Sequence, residues 1–433
     1  MTRDKIIDVS FFRIHSLRLQ NYLFILLGLS IPTSIWLTNM LIILIFFCWI
    51  IQEDWKNKIE IINKNKWITA LLGLIFLYIL GLLWGNNDNA PWQFQRLSLL
   101  LLFPVLISLK ISKKSFEKAI FLFLSINFLA GCLQIINDNW PEYFLILKDS
   151  HLIPFKDFYS HINNREIAGF IRYNYHNVML ALSYTITLSI LFTKKSKYKF
   201  LLVCFLLVYS VSIFTERGRA GQIIFIFSSL YYIIYYTYKS IVLKQYFRLF
   251  LSFIFVLIFA GFQHIMYFGI NNSYITIKNS KIYKYRIKQS IKAFEEKEKN
   301  EKENIRLVFL NKSLDAISKK PLFGYGTGSF GSFFQAEVHS GHKFYTHTTP
   351  HNQYLYVWFE IGFFGLVLLL SVFYLQIMQL IKFEDKFHTI LLPIIFLLLM
   401  CVDSYLTIFT GAITYMFLFT IYTRYNNLAR QFN

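Results

Sequence analysis

One stretch of this chain concentrates residues suited to proton transfer and anion binding. It begins at Arg306 and continues through Lys320-Pro321-Leu322-Phe323-Gly324-Tyr325-Gly326-Thr327-Gly328-Ser329-Phe330. After Thr349-Pro350-His351-Asn352-Gln353-Tyr354-Leu355 it ends with Glu360-Ile361-Gly362-Phe363-Phe364-Gly365. Thr349 followed by Pro350 reads as a helix start, a capping residue with proline at the first helical position, which puts His351 in the first turn. A helix N-terminus offers unpaired N–H groups and partial positive charge, a setting that draws phosphate and suits an imidazole working as proton acceptor. His351 is therefore the candidate general base. The competing reading is an interfacial histidine that makes one structural hydrogen bond.

Arginines supply the candidate anion site. Thr215-Glu216-Arg217-Gly218-Arg219-Ala220-Gly221 joins two apolar runs through a very short turn. Arginine at membrane depth is costly unless it pairs or binds an anion, and planar guanidinium groups match phosphate oxygens. Arg217 or Arg219 pairing with Glu216 or another carboxylate is the structural alternative. Arg96 and Arg172, each at the expected outer edge of a span, are further candidates for the same cavity. His176-Asn177 and Asp403 lie at the same expected interface, and spacing alone gives none of them a role.

Two other patterns are weaker than they look. Gly324, Gly326 and Gly328 resemble a dinucleotide fingerprint, but Pro321 precedes them and neither a strand nor a βαβ unit surrounds them, so tight turns with close backbone approach are expected. No cofactor follows. His339, His342, His347 and His351 lack an accompanying carboxylate pattern, so no metal site is expected.

The elements that must position these residues are membrane helices. The chain has 433 residues, 55% of them hydrophobic, with 47 Phe, 28 Tyr and only 8 Pro, which excludes a soluble enzyme. Apolar windows near the roughly 20 residues that cross a bilayer recur at 20–34, 36–52, 67–84, 96–110, 116–136, 174–192, 199–214, 220–238, 248–268, 351–380, 388–403 and 406–423. The expectation is an all-α polytopic protein of about 12 transmembrane helices, forming a single membrane domain over 1–433. Ile31-Pro32-Thr33 is expected to break the first apolar stretch into two helices.

The net charge of +20 is spent mostly in short turns. Lys56, Lys58, Lys64 and Lys66, then Lys110, Lys113, Lys114 and Lys118, then Lys194, Lys195, Lys197 and Lys199, then Lys239, Lys244 and Arg248, and finally Lys382 and Lys386 fall in alternate turns. That pattern places them and both termini in the cytoplasm. Nucleic acid is not an expected partner. Arg3, Lys5, Arg13 and Arg18 precede the first apolar run without a small-residue cleavage site, as in a retained anchor. One large extracytoplasmic loop, 269–350, lies opposite, and Lys281 to Arg306 within it has the spacing of a charged surface helix. Cys48, Cys132, Cys204 and Cys401 lie in apolar runs and read as buried small hydrophobes.

Taken together, Gly218 to Gly221, Arg306 before the Pro-Leu-Phe-Gly-Tyr-Gly-Thr-Gly segment, and His351 to Leu355 with Glu360, Gly362 and Gly365 resemble the O-antigen ligase and polymerase superfamily. The resemblance covers most of the chain. It implies a GT-C-like helical glycosyltransferase of the bacterial inner membrane, working at the periplasmic face without metal or nucleotide sugar. The implied donor is a polyprenyl-pyrophosphate-linked glycan and the implied acceptor lipid A-core, alongside membrane lipids. His351 would serve as base, and Arg219 and Arg306 would hold the pyrophosphate, with Arg217 a second arginine beside the expected one. The polymerase, whose acceptor is another lipid-linked glycan, shares these motifs. A transporter or flippase would instead need broken helices at corresponding positions of two halves and a midplane site.

Overall fold

The computed structural model describes residues 3–85, 89–139, 167–168, 170–193, 198–215, 219–244, 305–337, 348–383 and 386–431. These residues are helical except for turns and a two-stranded antiparallel ribbon, β1 (Ile167–Ala168) with β2 (Ile171–Arg172). The helices are α1 (Arg3–Ser30), α2 (Ile35–Ile51), α3 (Trp55–Lys64), α4 (Lys66–Leu80), α5 (Ala90–Ser98), α6 (Leu102–Ser108) and α7 (Lys113–Asn139). There follow α8 (Tyr173–Thr193), α9 (Lys199–Thr215), α10 (Arg219–Val242), α11 (Ile305–Lys319), α12 (Ser329–Glu337), α13 (Gln353–Leu380), α14 (Lys386–Thr389), α15 (Leu391–Met400) and α16 (Phe409–Gln431).

Every expected apolar window lies mostly on helix except 248–268, which lies outside the described residues, as do most of the Lys281–Arg306 segment and the run from 338 to 347. The number of membrane crossings is a different matter from the number of helices. Among the described residues, six segments are long and apolar enough to cross a bilayer: 66–83, 90–108, 113–135, 175–192, 219–242 and 353–380. A seventh is added if α2 and α3, bent by 116° at their junction, count as one broken span. The regions 199–214 and 386–400 are apolar but shorter. These segments mark a multi-pass membrane protein, although among the described residues fewer of them meet both length and hydropathy than the sequence windows suggest.

The expected break after α1 is present. Ile31, Pro32 and Thr33 form the turn, and the Ser34 hydroxyl caps α2 by accepting from Leu37 N at 3.3 Å. In contrast to the expected buried cysteines, Cys401 is exposed in the turn after α15, although Cys48 is buried.

The chain divides into two compact units, residues 1–123 with 302–433 and residues 124–301. In the first, α4 and α13 pack along their length as an antiparallel pair. At one end Gln379 Nε2 donates to Asn65 Oδ1 at 2.8 Å and Trp67 Nε1 to Gln379 Oε1 at 2.9 Å. At the other, Thr327 donates from its hydroxyl to Tyr78 O and from its backbone N–H to Gly81 O. Lys64, Lys66 and Lys382 therefore gather at the end of the unit opposite His351. Small residues allow close helix contacts here: a Cβ on Gly28 of α1 would sit 2.3 Å from the Ala119 carbonyl of α7. In the second unit α8 packs on α10 through the buried hydroxyl pairs Tyr184–Ser229 at 2.9 Å and Thr185–Ser228 at 2.8 Å.

Candidate functional site

The first unit holds His351 in a seat built from three elements. Helix α13 does not begin at Thr349-Pro350 as the sequence suggests. Asn352 is its cap, extended at φ −153°, with its side-chain oxygen accepting from Tyr354 N and Leu355 N at 3.0 Å each. The amide takes two orphan N–H groups at once, so it outcompetes the upstream threonine. His351 thus stands just before the cap, with φ at +51°, in the left-handed region. A non-glycine residue held there costs of order 1 kcal/mol, and such residues cluster at functional sites.

The turn after α15 supplies its partner. His351 Nδ1 lies 3.1 Å from Asp403 Oδ1, and the same oxygen accepts from Ser404 N at 2.7 Å. Asn352 Nδ2 donates to Cys401 O at 3.3 Å and the Tyr354 hydroxyl to Leu397 O at 2.7 Å, which ties this turn to the start of α13. Both members of the pair keep access to solvent, His351 at 33% and Asp403 at 19% side-chain exposure. The third element is α11. Its fully buried Phe309 places its ring 5.7 Å from the imidazole, and Arg306 lies one turn earlier on that helix with an exposed side chain.

A break in α13 anchors this assembly. Ile361 and Gly362 leave the helical region, Gly362 at φ +70° and ψ −168°, although the helix resumes and runs on to Leu380. The break frees carbonyls that the glycine segment uses: Tyr325 N donates to Phe359 O at 2.8 Å and Gly326 N to Glu360 O at 2.7 Å. Phe363 N donates in return to Pro321 O at 2.9 Å. Gly324, Gly326 and Gly328 all have positive φ, +70°, +92° and +79°, as tight turns with close backbone approach require. Gly326 packs directly on Gly85. Glu360 is fully buried, with Oε1 accepting from Gly328 N at 3.1 Å.

Arg96, on α5 of the same unit, is half-buried and stacks its guanidinium on Trp92. On the same helix Gln93 Oε1 accepts from the buried Tyr356 hydroxyl at 2.7 Å. Arg96 is thus engaged within the fold.

The second unit carries the other arginines. Arg219 is the first residue of α10 and its side chain is exposed; Arg172 is in β2; Arg217 lies outside the described residues. The preceding helix end is held by buried polar groups. His176 Nε2 meets Gln134 Oε1 at 2.9 Å, Gln134 Nε2 donates to Ser212 O at 3.1 Å, and Asn177 Nδ2 donates to Ile213 O at 3.0 Å. His176 and Asn177, to which spacing alone gave no role, are thus buried and hydrogen-bonded within the fold. Of the histidine group at 339–351 only His351 is among the described residues.

Asp403 and Phe309 are the residues that sequence reading left without a role. The signal for Asp403 was present, since it is the one charged residue between Lys386 and Arg424 in an otherwise apolar run. Phe309 carried no such signal among so many phenylalanines.

Fold and site together describe a multi-pass helical membrane protein with a solvent-accessible histidine–aspartate pair, packed on a phenylalanine of the helix that bears the exposed Arg306. Residues 202–370 match the family model described as O-Antigen ligase, which supports the resemblance to the O-antigen ligase superfamily. The match spans Gly218 to Gly221, Arg306, His351 and Glu360, the residues on which the resemblance was read; Arg96, Arg172 and Asp403 fall outside it. No curated protein matches the chain at significant similarity.

Proposed function

We propose that this protein is an O-antigen ligase, a glycosyltransferase that moves a glycan from polyprenyl pyrophosphate to lipid A-core at the periplasmic face of the inner membrane. The observation that carries the reading is the His351–Asp403 pair, packed on Phe309 of the helix that also bears Arg306, with His351 and Arg306 inside the matched family region. With the Nδ1 proton donated to the aspartate, Nε2 becomes the proton-accepting nitrogen. It takes the proton of the acceptor hydroxyl as that oxygen attacks the anomeric carbon. The bond from that carbon to the pyrophosphate oxygen breaks, and the polyprenyl pyrophosphate leaves with the electron pair.

Charge builds on the leaving phosphate as the bond breaks, and Arg306 and Arg219 are the groups proposed to stabilise it. The transfer then needs neither a nucleotide sugar nor a metal, because the donor carries its own leaving group. Arg217 and Arg172 are secondary candidates for the same anion, and Arg96 acts as a structural cation.

The test is a deletion strain whose lipopolysaccharide and lipid-linked glycan pool are assayed together, with plasmid-borne wild type as control. Uncapped core with accumulated long lipid-linked chains is the ligase result. Core bearing a single repeat would make the protein the related polymerase, and an unchanged pattern would point to another glycan or to transport.

A further inference from the structure

A carboxylate wholly inside a membrane protein is expensive, and it persists where it performs a task. Glu360 is such a group, and neither proton transfer at His351 nor pyrophosphate binding uses it. Its surroundings are specific. The break at Ile361 and Gly362 strips the helix of regular hydrogen bonds, and irregular backbone at this depth must be satisfied by other protein groups. The glycine segment supplies them, through Tyr325 N to Phe359 O and Gly326 N to Glu360 O. The Glu360 side chain then closes the arrangement by accepting from Gly328 N. One residue thus holds the segment twice, by its backbone carbonyl and by its carboxyl. The fit leaves no slack, since a Cβ on Gly324 would lie 2.5 Å from Phe359 O and one on Gly362 2.0 Å from Leu322 O.

The segment held in this way connects the site's parts. It follows directly from α11, which bears Arg306 and Phe309, and it is clasped by the helix whose cap carries His351. We infer that Glu360 is a positioning residue: its buried carboxyl clasps residues 324–328 in the break of α13 and so holds Arg306 and His351 in a fixed relation. The inference rests on the proposed glycan transfer for its functional half, and on the hydrogen-bond geometry alone for its structural half.

Acceptor reach, not charge, is what the clasp requires, and two substitutions separate these. E360Q keeps an oxygen within the same reach of Gly328 N but cannot ionise, whereas E360D keeps the carboxyl and withdraws it by one methylene. The full-length protein in lipid nanodiscs is assayed for transfer from its lipid-linked donor and for hydrogen exchange at the Tyr325, Gly326 and Gly328 amides.

The expected result is that E360Q restores most of the wild-type kcat and keeps the amides protected. E360D is expected to speed exchange, raise the donor KM and lower kcat by up to about 100-fold, the scale of an ångström-level misplacement. E360A should resemble E360D, and if it fails to insert, the other pair still decides. An active E360D with an inactive E360Q, or unaltered exchange in both, overturns the clasp. If exchange follows the expected order while wild-type protein transfers no glycan, the clasp stands and the ligase reading fails.

Discussion

Asp403 Oδ1 sits 3.1 Å from His351 Nδ1, joining residues 52 positions apart at the same end of α13 and α15. The contact orients the ring, and with the carboxylate as acceptor the proton sits on Nδ1 and leaves Nε2 free to accept. Removing the imidazole is expected to cost about 10²–10⁴-fold in transfer rate, the usual contribution of a positioned base. Asp403→Asn keeps the shape but offers an amide N–H to Nδ1, which favours the wrong tautomer, so it should cost at least about tenfold. The double variant should be no worse than His351→Ala alone, because the two act as a unit. Rates with purified protein decide the matter, and additive losses would mean that Asp403 works independently of the histidine.

Much of this architecture was legible in the sequence, for reasons that differ by residue. The helices at 66–80, 113–139 and 353–380 were readable because lipid demands long apolar runs and the lysines punctuate them. Pro32 was readable because proline lacks a donor and restricts its neighbour. The cap of α13 was misplaced because Thr349-Pro350 satisfies the local rule, while the competing claim of Asn352 is settled by the tertiary bond from Asn352 Nδ2 to Cys401 O. The break at Gly362 was hidden by apolar residues on both sides, and it shows only in the tertiary bonds from Tyr325 N to Phe359 O and from Gly326 N to Glu360 O. The windows at 20–34 and 388–403 were apolar enough to suggest spans, yet the described helices there do not satisfy length and hydropathy together.

Gly362 should be the least replaceable glycine of the first unit. Its left-handed backbone costs an alanine about 1–2 kcal/mol, and the added carbon would collide with Leu322 O at 2.0 Å, which is backbone and cannot swing aside. Gly73 is the control. It lies within α4, and a Cβ there would meet only the Leu368 side chain, at 3.5 Å and 3.7 Å, ordinary contacts. Gly73→Ala is expected to be neutral or stabilising by up to about 1 kcal/mol. Thermal unfolding in detergent compares the two, and equal losses would contradict the geometry.

In the second unit, stability at the end of α9 should control the arginine at the start of α10. Asn177 Nδ2 donates to Ile213 O, and Asn177→Ala removes that buried bond at a cost of about 1–3 kcal/mol. Gly221→Ala should cost more, because its new carbon would fall 1.6 Å from Asn177 Oδ1 and 2.4 Å from the Asn177 carbonyl. Since Gly221 follows Arg219 by two residues, transfer should fall in both variants along with the melting temperature. A Gly221→Ala protein with unchanged stability would show that this close approach does not exist.

Arg306 offers the sharpest test of how the leaving group is stabilised. It lies in the first turn of α11 with its side chain exposed, one turn before the phenylalanine that packs on His351. A guanidinium there can present two parallel N–H groups to phosphate oxygens, a geometry that an ammonium group cannot reproduce. Arg306→Ala should raise the donor KM and lower kcat together, because the charge it meets is present in the bound pyrophosphate and grows as the bond breaks. Arg306→Lys should recover the charge without the fork, and with it only part of the activity. If arginines perform this task, chelation with EDTA should leave the wild-type rate unchanged. A rate that EDTA abolishes and magnesium restores would assign the leaving group to a metal ion and leave Arg306 a role in binding alone.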